Sequence, residues 1–275
     1  MSTLVSRRSI ARGLLASLLA TTAAVVSDPL IGTAIAQDGP PRALDVPYVP
    51  TPQNVVDAML TIAGVNRRDF LIDLGCGDGR IPVTAAKRFG TRGFGVDLNP
   101  VRVKEANENV SKNNVGKLVG IAQGDLFETD ISKATVISMY LLPTVNMRLR
   151  PFVLNLKPGT RIVSHDFDMG DWKADKTEKL DYKTVYFWVV PAKVAGKYQM
   201  KLGKETFVLE LEQKFQEVTG KAMISGKPVA IANGKLNGAN LSFELTMADG
   251  KPRKFEGNAY DLGKIGGRGW SGLRI

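Results

Sequence analysis

The chain has 275 residues, of which 44% are hydrophobic and 23% are charged, and its formal net charge is +10. This composition is typical of a globular protein with one or two domains and excludes a disordered, collagen-like or multi-spanning membrane chain. The single Cys and the single His exclude an intrachain disulfide, a multi-cysteine zinc site and any site that needs two imidazoles.

The first 36 residues have the features of an export signal. Three arginines precede a short apolar stretch, and a small-residue cleavage pattern follows at Ala34-Ile35-Ala36. The pair Arg7-Arg8 resembles a twin-arginine signal, which directs a folded protein across the bacterial inner membrane. The apolar stretch is shorter than the roughly 20 residues that span a bilayer. We therefore expect a signal peptide over residues 1–36 and a periplasmic mature protein.

A lead-in and an alternating region follow. Residues 37–54 hold five prolines and no periodic pattern, which predicts an extended segment. Residues 55–192 alternate between apolar runs of strand length and helical stretches. The predicted strands are 69–74, 93–97, 118–123, 134–140 and 160–165, and the predicted helices are 55–64, 82–89, 100–113 and 146–156. Five strands linked by helices predict an α/β fold with a doubly wound, mostly parallel sheet, which binds ligands at the carboxyl ends of its strands.

The glycine-rich run Asp73-Leu74-Gly75-Cys76-Gly77-Asp78-Gly79 directly follows the first predicted strand. Three glycines at alternate positions allow a tight turn, let the backbone approach a ligand closely and open a helix. Asp97 ends the second strand, at about the separation where a carboxylate binds the ribose hydroxyls of a nucleoside cofactor. Position 80 is Arg, where a dinucleotide-binding loop has its third glycine. The loop therefore favours a ligand that has an amino acid moiety and no pyrophosphate.

Residues 69–140 resemble a class I, seven-strand S-adenosylmethionine-dependent methyltransferase, and the agreement extends over most of residues 46–190. The resemblance implies a Rossmann-like domain with S-adenosyl-L-methionine as its cofactor. It implies that the glycine loop holds the methionine part, that Asp97 binds both ribose hydroxyls, and that residues 125–126 flank the adenine. The implied cofactor-binding residues are Tyr48, Thr51, Asp73, Gly75, Gly77, Asp78, Gly79, Asp97, Leu98, Asp125, Leu126 and Met139.

The flanks of this region carry a narrower resemblance. The segments 47–52, 141–143 and 166–172 are similar to small lysine methyltransferases, including those that act on a membrane component of the ATP synthase. This resemblance implies a protein or small amine acceptor, and it makes Tyr48 and Thr51 candidate lid residues over the cofactor. The chain differs from the mitochondrial members by its export signal and its extra C-terminal region. Strand four lacks the Asn/Asp-Pro-Pro-Tyr run of enzymes that methylate bases, so a nucleic acid acceptor is less expected.

The candidate catalytic residues lie at the ends of predicted strands four and five. Methyl transfer is an in-line displacement, so alignment of the reactants is the main task of the protein. Tyr140, His165 and Asp166 could attract an ammonium group and orient the free amine, and no metal is expected. Two alternatives stay open: a non-catalytic S-adenosylmethionine-binding protein, and a β-domain ligand carrier joined to a relic methyltransferase fold.

Residues 193–275 differ in character. Strands that alternate around Gly-rich turns predict an antiparallel β-sheet or half-barrel domain, and the ending 269–274 resembles the closing strand of lipocalin-like half-barrels. A binding module and a structural cap both remain open for this domain. Residues 176–275 hold 17 Lys and Arg against 10 Asp and Glu. This excess predicts either a solvated basic face or contact with an anionic partner such as phospholipid.

Overall fold

The computed structural model describes residues 48–275 of the chain. The predicted signal peptide over residues 1–36 and the first part of the lead-in lie outside the described residues. Two sheets follow one another along the described chain, a mixed α/β sheet that ends at Val189 and an antiparallel barrel that begins at Gly196. No helix in this part of the chain is long and apolar enough to cross a membrane.

The first sheet has seven strands flanked by helices. The strands are β1 (Phe70–Leu74), β2 (Arg92–Asp97), β3 (Val119–Gln123), β4 (Val136–Met139), β5 (Arg161–His165), β6 (Lys176–Leu180) and β7 (Lys183–Val189). The helices are α1 (Gln53–Ile62), α2 (Arg80–Phe89), α3 (Pro100–Lys112) and α4 (Pro143–Val153). The order across the sheet is β3-β2-β1-β4-β5-β7-β6, and β7 runs antiparallel to its neighbours. The predicted doubly wound, mostly parallel α/β fold is confirmed.

Most predicted elements agree with the structure to within two residues, and two differ by more. Helix α4 begins at Pro143 and not at Asn146, because proline has the backbone angle of a first helical residue and its missing N–H is not needed there. The hairpin of β6 and β7 was not among the five predicted strands. Strand β6 reads Lys-Thr-Glu-Lys-Leu and is almost wholly exposed, as befits an edge strand that charged residues protect from further pairing.

The centre of the first sheet determines where its ligand site lies. Strands β1 and β4 are buried over nearly all of their length, and Asp73 pairs with Ser138. The sheet grows from β1 toward β3 on one side and from β4 toward β5 on the other. In open α/β sheets such a reversal leaves a crevice at the carboxyl ends of the strands. The glycine loop after β1 and Tyr140 after β4 therefore lie at the same edge.

The second sheet has nine strands and closes into an antiparallel barrel with eight strand positions. Its strands are β8 (Gly196–Leu202), β9 (Glu205–Lys214), β10 (Glu217–Ile224), β11 (Lys227–Ala230), β12 (Ala232–Asn237), β13 (Asn240–Thr246), β14 (Pro252–Tyr260), β15 (Lys264–Gly267) and β16 (Trp270–Arg274). Pairing of β8 with β16 and of β9 with β10 closes the ring, while β11 and β12 lie one after the other beside β10. The predicted antiparallel domain is confirmed, and its closure into a barrel goes beyond the predicted sheet or half-barrel.

Side chains fill the interior of the barrel. The rings of Phe243 and Phe255 stack with centroids 4.8 Å apart, and Trp270 meets both edge-on. They belong to a buried apolar cluster to which every part of the barrel contributes. Aromatic pairs of this geometry add to the stabilisation from buried area. The packed interior favours a structural module over a carrier with an internal ligand.

The barrel is joined to the first domain through Trp172, which follows β5. The Trp172 Nε1–H donates to Gln216 Oε1 at 2.9 Å, and its ring stacks on Phe215 with centroids 5.9 Å apart. The Gln216 amide in turn donates to the Lys173 carbonyl. Trp172 is fully buried, so these hydrogen bonds satisfy groups that water does not reach. The two sheets accordingly belong to one compact unit.

Candidate cofactor and acceptor site

A cavity of about 240 Å³ opens at the carboxyl ends of the first sheet. Eleven predicted site residues line it: Tyr48, Thr51, Asp73, Gly75, Gly77, Asp78, Asp97, Leu98, Asp125, Leu126 and Tyr140. Among the other lining residues are Arg80, Asn99, Arg102 and Phe167, which the sequence analysis did not select. The sheet topology thus gathers residues from six separate segments of the chain into one crevice.

Four predicted site residues are not among those that line the cavity. Gly79 caps α2 at its N-terminus and packs against Ala106, while Met139 lies fully buried in the sheet core. His165 is also fully buried, and Asp166 directs its carboxylate toward β7. Within residues 48–275, no group of three or more His, Cys, Asp or Glu side chains could hold a metal ion.

The glycine loop forms a cradle that side chains would fill. Gly75 and Gly77 have φ of +73° and +54°, which favour glycine. A Cβ at Gly77 would lie 2.5 Å from Cε2 of Tyr48, and one at Gly75 would lie 2.8 Å from Cδ2 of Leu141. The amides of Gly75 and Cys76 both donate to the Val96 carbonyl, which fixes the loop to β2. At both positions a side chain would clash with a residue that lines the cavity, so glycine is needed for the loop backbone to lie this close to the cavity wall.

Asp97 anchors the loop and retains capacity to bind a ligand. Its Oδ2 accepts from the Gly77 amide at 2.8 Å, and its Oδ1 accepts from the Asn99 amide at 2.9 Å. A carboxylate has about four lone-pair positions, so these two bonds leave acceptor capacity toward the cavity that Asp97 lines. A vicinal pair of hydroxyl groups is a suitable donor for that capacity.

Asp73 is a buried carboxyl group that lacks a cationic partner within residues 48–275. Its Oδ1 accepts from the Ser138 hydroxyl at 2.7 Å, and the side chain is 2% exposed. Burial and, to a smaller extent, the negative charges of Asp97 and Asp78 together raise the pKa of Asp73 to about 7, although the Ser138 hydrogen bond lowers it. A ligand ammonium group at this position would favour the ionised carboxylate. The donor set therefore fits the amino acid moiety that the loop motif predicts.

The lead-in residues cross the cavity as a strap. The Arg102 guanidinium lies 4.3 Å from the centroid of the Tyr48 ring, a cation–π contact. Arg80 pairs with Asp78 at 2.6 Å and also donates to the Thr51 carbonyl at 2.8 Å. These contacts hold residues 48–51 over the glycine loop. Tyr48 and Thr51 both line the cavity, and their role as lid residues stays a prediction.

A second group of polar side chains lies beside Tyr140, at the ends of β5 and β7. Asp166 Oδ2 accepts from Lys183 Nζ at 2.7 Å, and Asp166 Oδ1 accepts from the Thr184 amide at 2.9 Å. Lys183 Nζ also lies 5.9 Å from the centroid of the Tyr140 ring, which stacks against His165. Asp166 has φ of +59°, an uncommon conformation for a residue other than glycine that is often found at functional sites.

The charges in this group are fixed by their contacts. Burial alone would raise the pKa of Asp166, but the hydrogen bonds from Lys183 and Thr184 hold that pKa below its usual value. The hydrogen bond to Asp166 raises the pKa of Lys183. Both groups are therefore charged near neutral pH.

Sequence reasoning missed Lys183, because nothing in its local pattern marks it as different from the other lysines of the exposed hairpin.

His165 is expected to stay neutral throughout the physiological range. Burial lowers the pKa of His165 to about 4, and its Nδ1 lies 3.1 Å from Thr51 Oγ1. The pKa in the folded state is below the unfolded value of about 6.5. This residue's contribution to stability is therefore complete above pH 6.5 and is lost as the pH falls toward 4.

The chain has one His, so a proton NMR titration has a single imidazole signal to follow. A midpoint near pH 6.5 would contradict a buried neutral ring.

Comparison with known proteins agrees with this geometry. The model of the ANTKMT methyltransferase domain matches residues 73–176. A protein-lysine N-methyltransferase of Saccharolobus islandicus is 48% identical over 151 residues, which cover 53% of this chain and 94% of that protein. A lysine N-methyltransferase of Rattus norvegicus, named for a component of the ATP synthase, is 26% identical over 181 residues, which cover 66% of this chain and 80% of that protein.

A solved structure extends the comparison to the cofactor. The crystal structure of an RNA methyltransferase from Salinibacter ruber, in complex with S-adenosyl-L-homocysteine, is 52% identical with a TM-score of 0.52. The match covers 53% of this chain and 96% of that one. S-adenosyl-L-methionine is accordingly the cofactor of this protein, and the cradle, Asp73 and Asp97 are the groups suited to hold it. The chain belongs to the family of S-adenosylmethionine-dependent methyltransferases that includes the Saccharolobus protein-lysine N-methyltransferase.

Proposed function

We propose that the protein transfers a methyl group from S-adenosyl-L-methionine to the side-chain amine of a protein lysine. One observation carries this proposal: Asp166 and Tyr140 already hold a lysine ammonium, that of Lys183, and Tyr140 lines the cavity. Groups that bind one ammonium through a carboxylate and an aromatic face have the chemistry to receive another. The names of the Saccharolobus and rat relatives support the same acceptor class.

The residues of the cavity have separate roles in this proposal. The bound cofactor supplies a methyl group on a positively charged sulfur. Asp73, Asp97 and the glycine loop hold and orient the donor, and alignment of two reactants is worth about 7–11 kcal/mol. Tyr140 lines the cavity beside the apolar side chains of Leu141 and Phe167.

The acceptor amine must lose its proton before transfer. For a lysine with a pKa near 10.4, deprotonation at pH 7 costs roughly 4–5 kcal/mol of free energy. The apolar wall formed by Leu141, Leu142 and Phe167 lowers that cost, because it disfavours the charged ammonium. Asp166 neutralises the Lys183 ammonium and is a weak base, since its own pKa is held low. The proton therefore leaves to water, and the Tyr140 hydroxyl orients the free amine.

The Salinibacter relative favours RNA as a second candidate acceptor. That protein is described as an RNA methyltransferase, and its identity to this chain is similar to that of the Saccharolobus lysine enzyme. In this chain β4 is followed by Tyr140-Leu141-Leu142-Pro143, and not by the Asn/Asp-Pro-Pro-Tyr run of base methylation. The two acceptors predict different products in the same assay.

The acceptor class is tested with methyl-labelled S-adenosylmethionine and a cell extract that contains protein and RNA. We expect label in material that protease degrades and ribonuclease does not, with methylated lysine identified by peptide mass spectrometry. The matched control is Asp97→Ala, which should label nothing because it lacks bound donor. Label that only ribonuclease removes would contradict the lysine proposal and support RNA. Absence of label, with cofactor bound, would contradict both acceptors.

We further propose that the enzyme acts in the periplasm. The support is the arginine pair Arg7-Arg8 and the small-residue pattern that ends at Ala36. A twin-arginine route carries folded proteins, so the enzyme could arrive with its cofactor bound. Protein recovered from the periplasm should begin at Gln37, whereas a chain found intact in the cytoplasm would contradict this location.

A further inference from the structure

The turn between β14 and β15 presents a leucine that contributes nothing to the core. Leu262 is 90% exposed, and its φ of +63° lies in the left-handed region that a leucine rarely adopts. Glycine or asparagine would fit the same turn with less strain. No burial within residues 48–275 compensates for that strain, so a partner outside the chain is the natural explanation for a leucine here.

Leu262 belongs to a cluster of exposed apolar side chains, here named the apolar patch: Tyr260, Leu262, Leu273 and Ile275. Their exposed fractions are 56%, 90%, 51% and 69%. Tyr260 pairs with Lys264 and Lys264 pairs with Leu273, so these three side chains form a row on the outer face of the barrel. Singly scattered apolar residues need no explanation, but four together on one face indicate an interaction surface.

A basic cavity adjoins the apolar patch. It has a volume of about 350 Å³ and lies between the barrel and the C-terminal end of α4. Its lining includes the cations Lys193, Lys264 and Arg274, and Asp261 is the one acid among its lining residues. The Arg274 guanidinium is held in place by its bond to the Tyr198 hydroxyl at 3.0 Å. The Lys264 ammonium has no acidic partner within residues 48–275, so the cavity has an excess of positive charge.

We propose that the apolar patch and the basic cavity together dock the enzyme on a bilayer that contains anionic phospholipid. The cavity receives an anionic headgroup, and Leu262 and its neighbours enter the apolar boundary beneath it. Exposed apolar side chains beside lysine and arginine are the combination that holds proteins at a membrane surface. The charge complementarity favours a membrane over a second protein. The proposal does not depend on which acceptor the active site uses.

The test is vesicle flotation with residues 37–275, which contain the whole described structure and omit the apolar run of the predicted signal. Vesicles of phosphatidylcholine are compared with vesicles that also contain phosphatidylglycerol. We expect binding to the anionic vesicles alone, and Leu262→Asn should reduce it at least about fivefold because it removes the deepest apolar side chain. Asparagine tolerates the left-handed turn, so the melting temperature should be unchanged or higher. Tyr182→Asn is the matched control, since Tyr182 is 99% exposed on the β6–β7 turn of the first domain.

Charge is tested separately. Lys264→Glu should weaken vesicle binding far more than Lys227→Glu, which makes the same change of charge on the β10–β11 hairpin across the barrel. Equal binding by Leu262→Asn and the unaltered protein would overturn the proposal, and so would equal losses in the two charge variants. Binding of inorganic phosphate without vesicle binding would place a free anion in the cavity instead. A dimer that Leu262→Asn dissociates would replace the bilayer with a second copy of the chain.

Discussion

Replacement of Asp97 by Ala is expected to weaken S-adenosylmethionine binding by roughly 10²- to 10⁴-fold. The carboxylate lines the cavity, and its two bonds to backbone amides leave acceptor capacity for the two ribose hydroxyls. Hydrogen bonds to a charged acceptor contribute about 1.5–3 kcal/mol each, and about 1.4 kcal/mol corresponds to a factor of ten. The variant also releases the Gly77 amide, which loosens the cradle and adds to the loss.

Calorimetric titration with S-adenosylmethionine and S-adenosylhomocysteine measures this effect. Asp97→Asn should give an intermediate loss, because the amide retains one acceptor oxygen at nearly the same position. Asp130→Ala serves as the control, since Asp130 is exposed and bonds to the Ser132 amide in a loop outside the cavity. Unchanged affinity in Asp97→Ala, with an unchanged melting temperature, would contradict the assignment of Asp97 to the cofactor.

The cofactor half of the site could be predicted from sequence because its determinants are local. The glycines that follow β1 specify a backbone that other residues disfavour, and Asp97 ends the adjacent strand. Once the strands are known to be parallel, their carboxyl ends must meet at one edge. The pattern therefore identifies both the residues and their proximity without any long-range information.

The acceptor half could not be predicted in the same way. The contact between Asp166 and Lys183 depends on the antiparallel return of β7 along β5, where His165 pairs with Val185. The hairpin that makes this return begins with the exposed, charged strand β6, which lacks the apolar pattern of a strand. Sequence reasoning selected Asp166 as a group that attracts cations and missed the lysine that already neutralises it.

Closure of the barrel could not be predicted from the alternating residues and Gly-rich turns of residues 193–275. Alternating residues and Gly-rich turns predict antiparallel strands, and each predicted strand is present. Closure depends on the pairing of β8 with β16, which joins residues such as Met200 and Gly272 from opposite ends of the domain. A sheet and a barrel share the same local alternation, so the sequence alone leaves both open.

Tyr140→Phe is expected to reduce kcat at least about tenfold while leaving cofactor affinity nearly unchanged, because the hydroxyl that orients the free amine is lost and misalignment of the reactants slows transfer. Phenylalanine keeps the ring contacts with His165 and Phe167, whose centroids lie 3.8 Å and 6.1 Å from that of Tyr140. The change therefore removes the hydroxyl and little else. Tyr182→Phe is the matched control, since it makes the same chemical change on the exposed turn beside Lys183.

The companion variant Asp166→Asn separates attraction of the acceptor from orientation of its amine. Asparagine still accepts from the Thr184 amide, but it leaves the Lys183 ammonium without its counter-charge beside Tyr140. An incoming lysine would then meet a like charge, so the KM for the acceptor should rise at least about tenfold while kcat changes less. Steady-state kinetics with the unmethylated acceptor protein distinguish the two effects. Loss of cofactor binding in both variants would assign them to the cofactor site. Unaltered turnover in both would mean that the amine is aligned by other residues of the cavity.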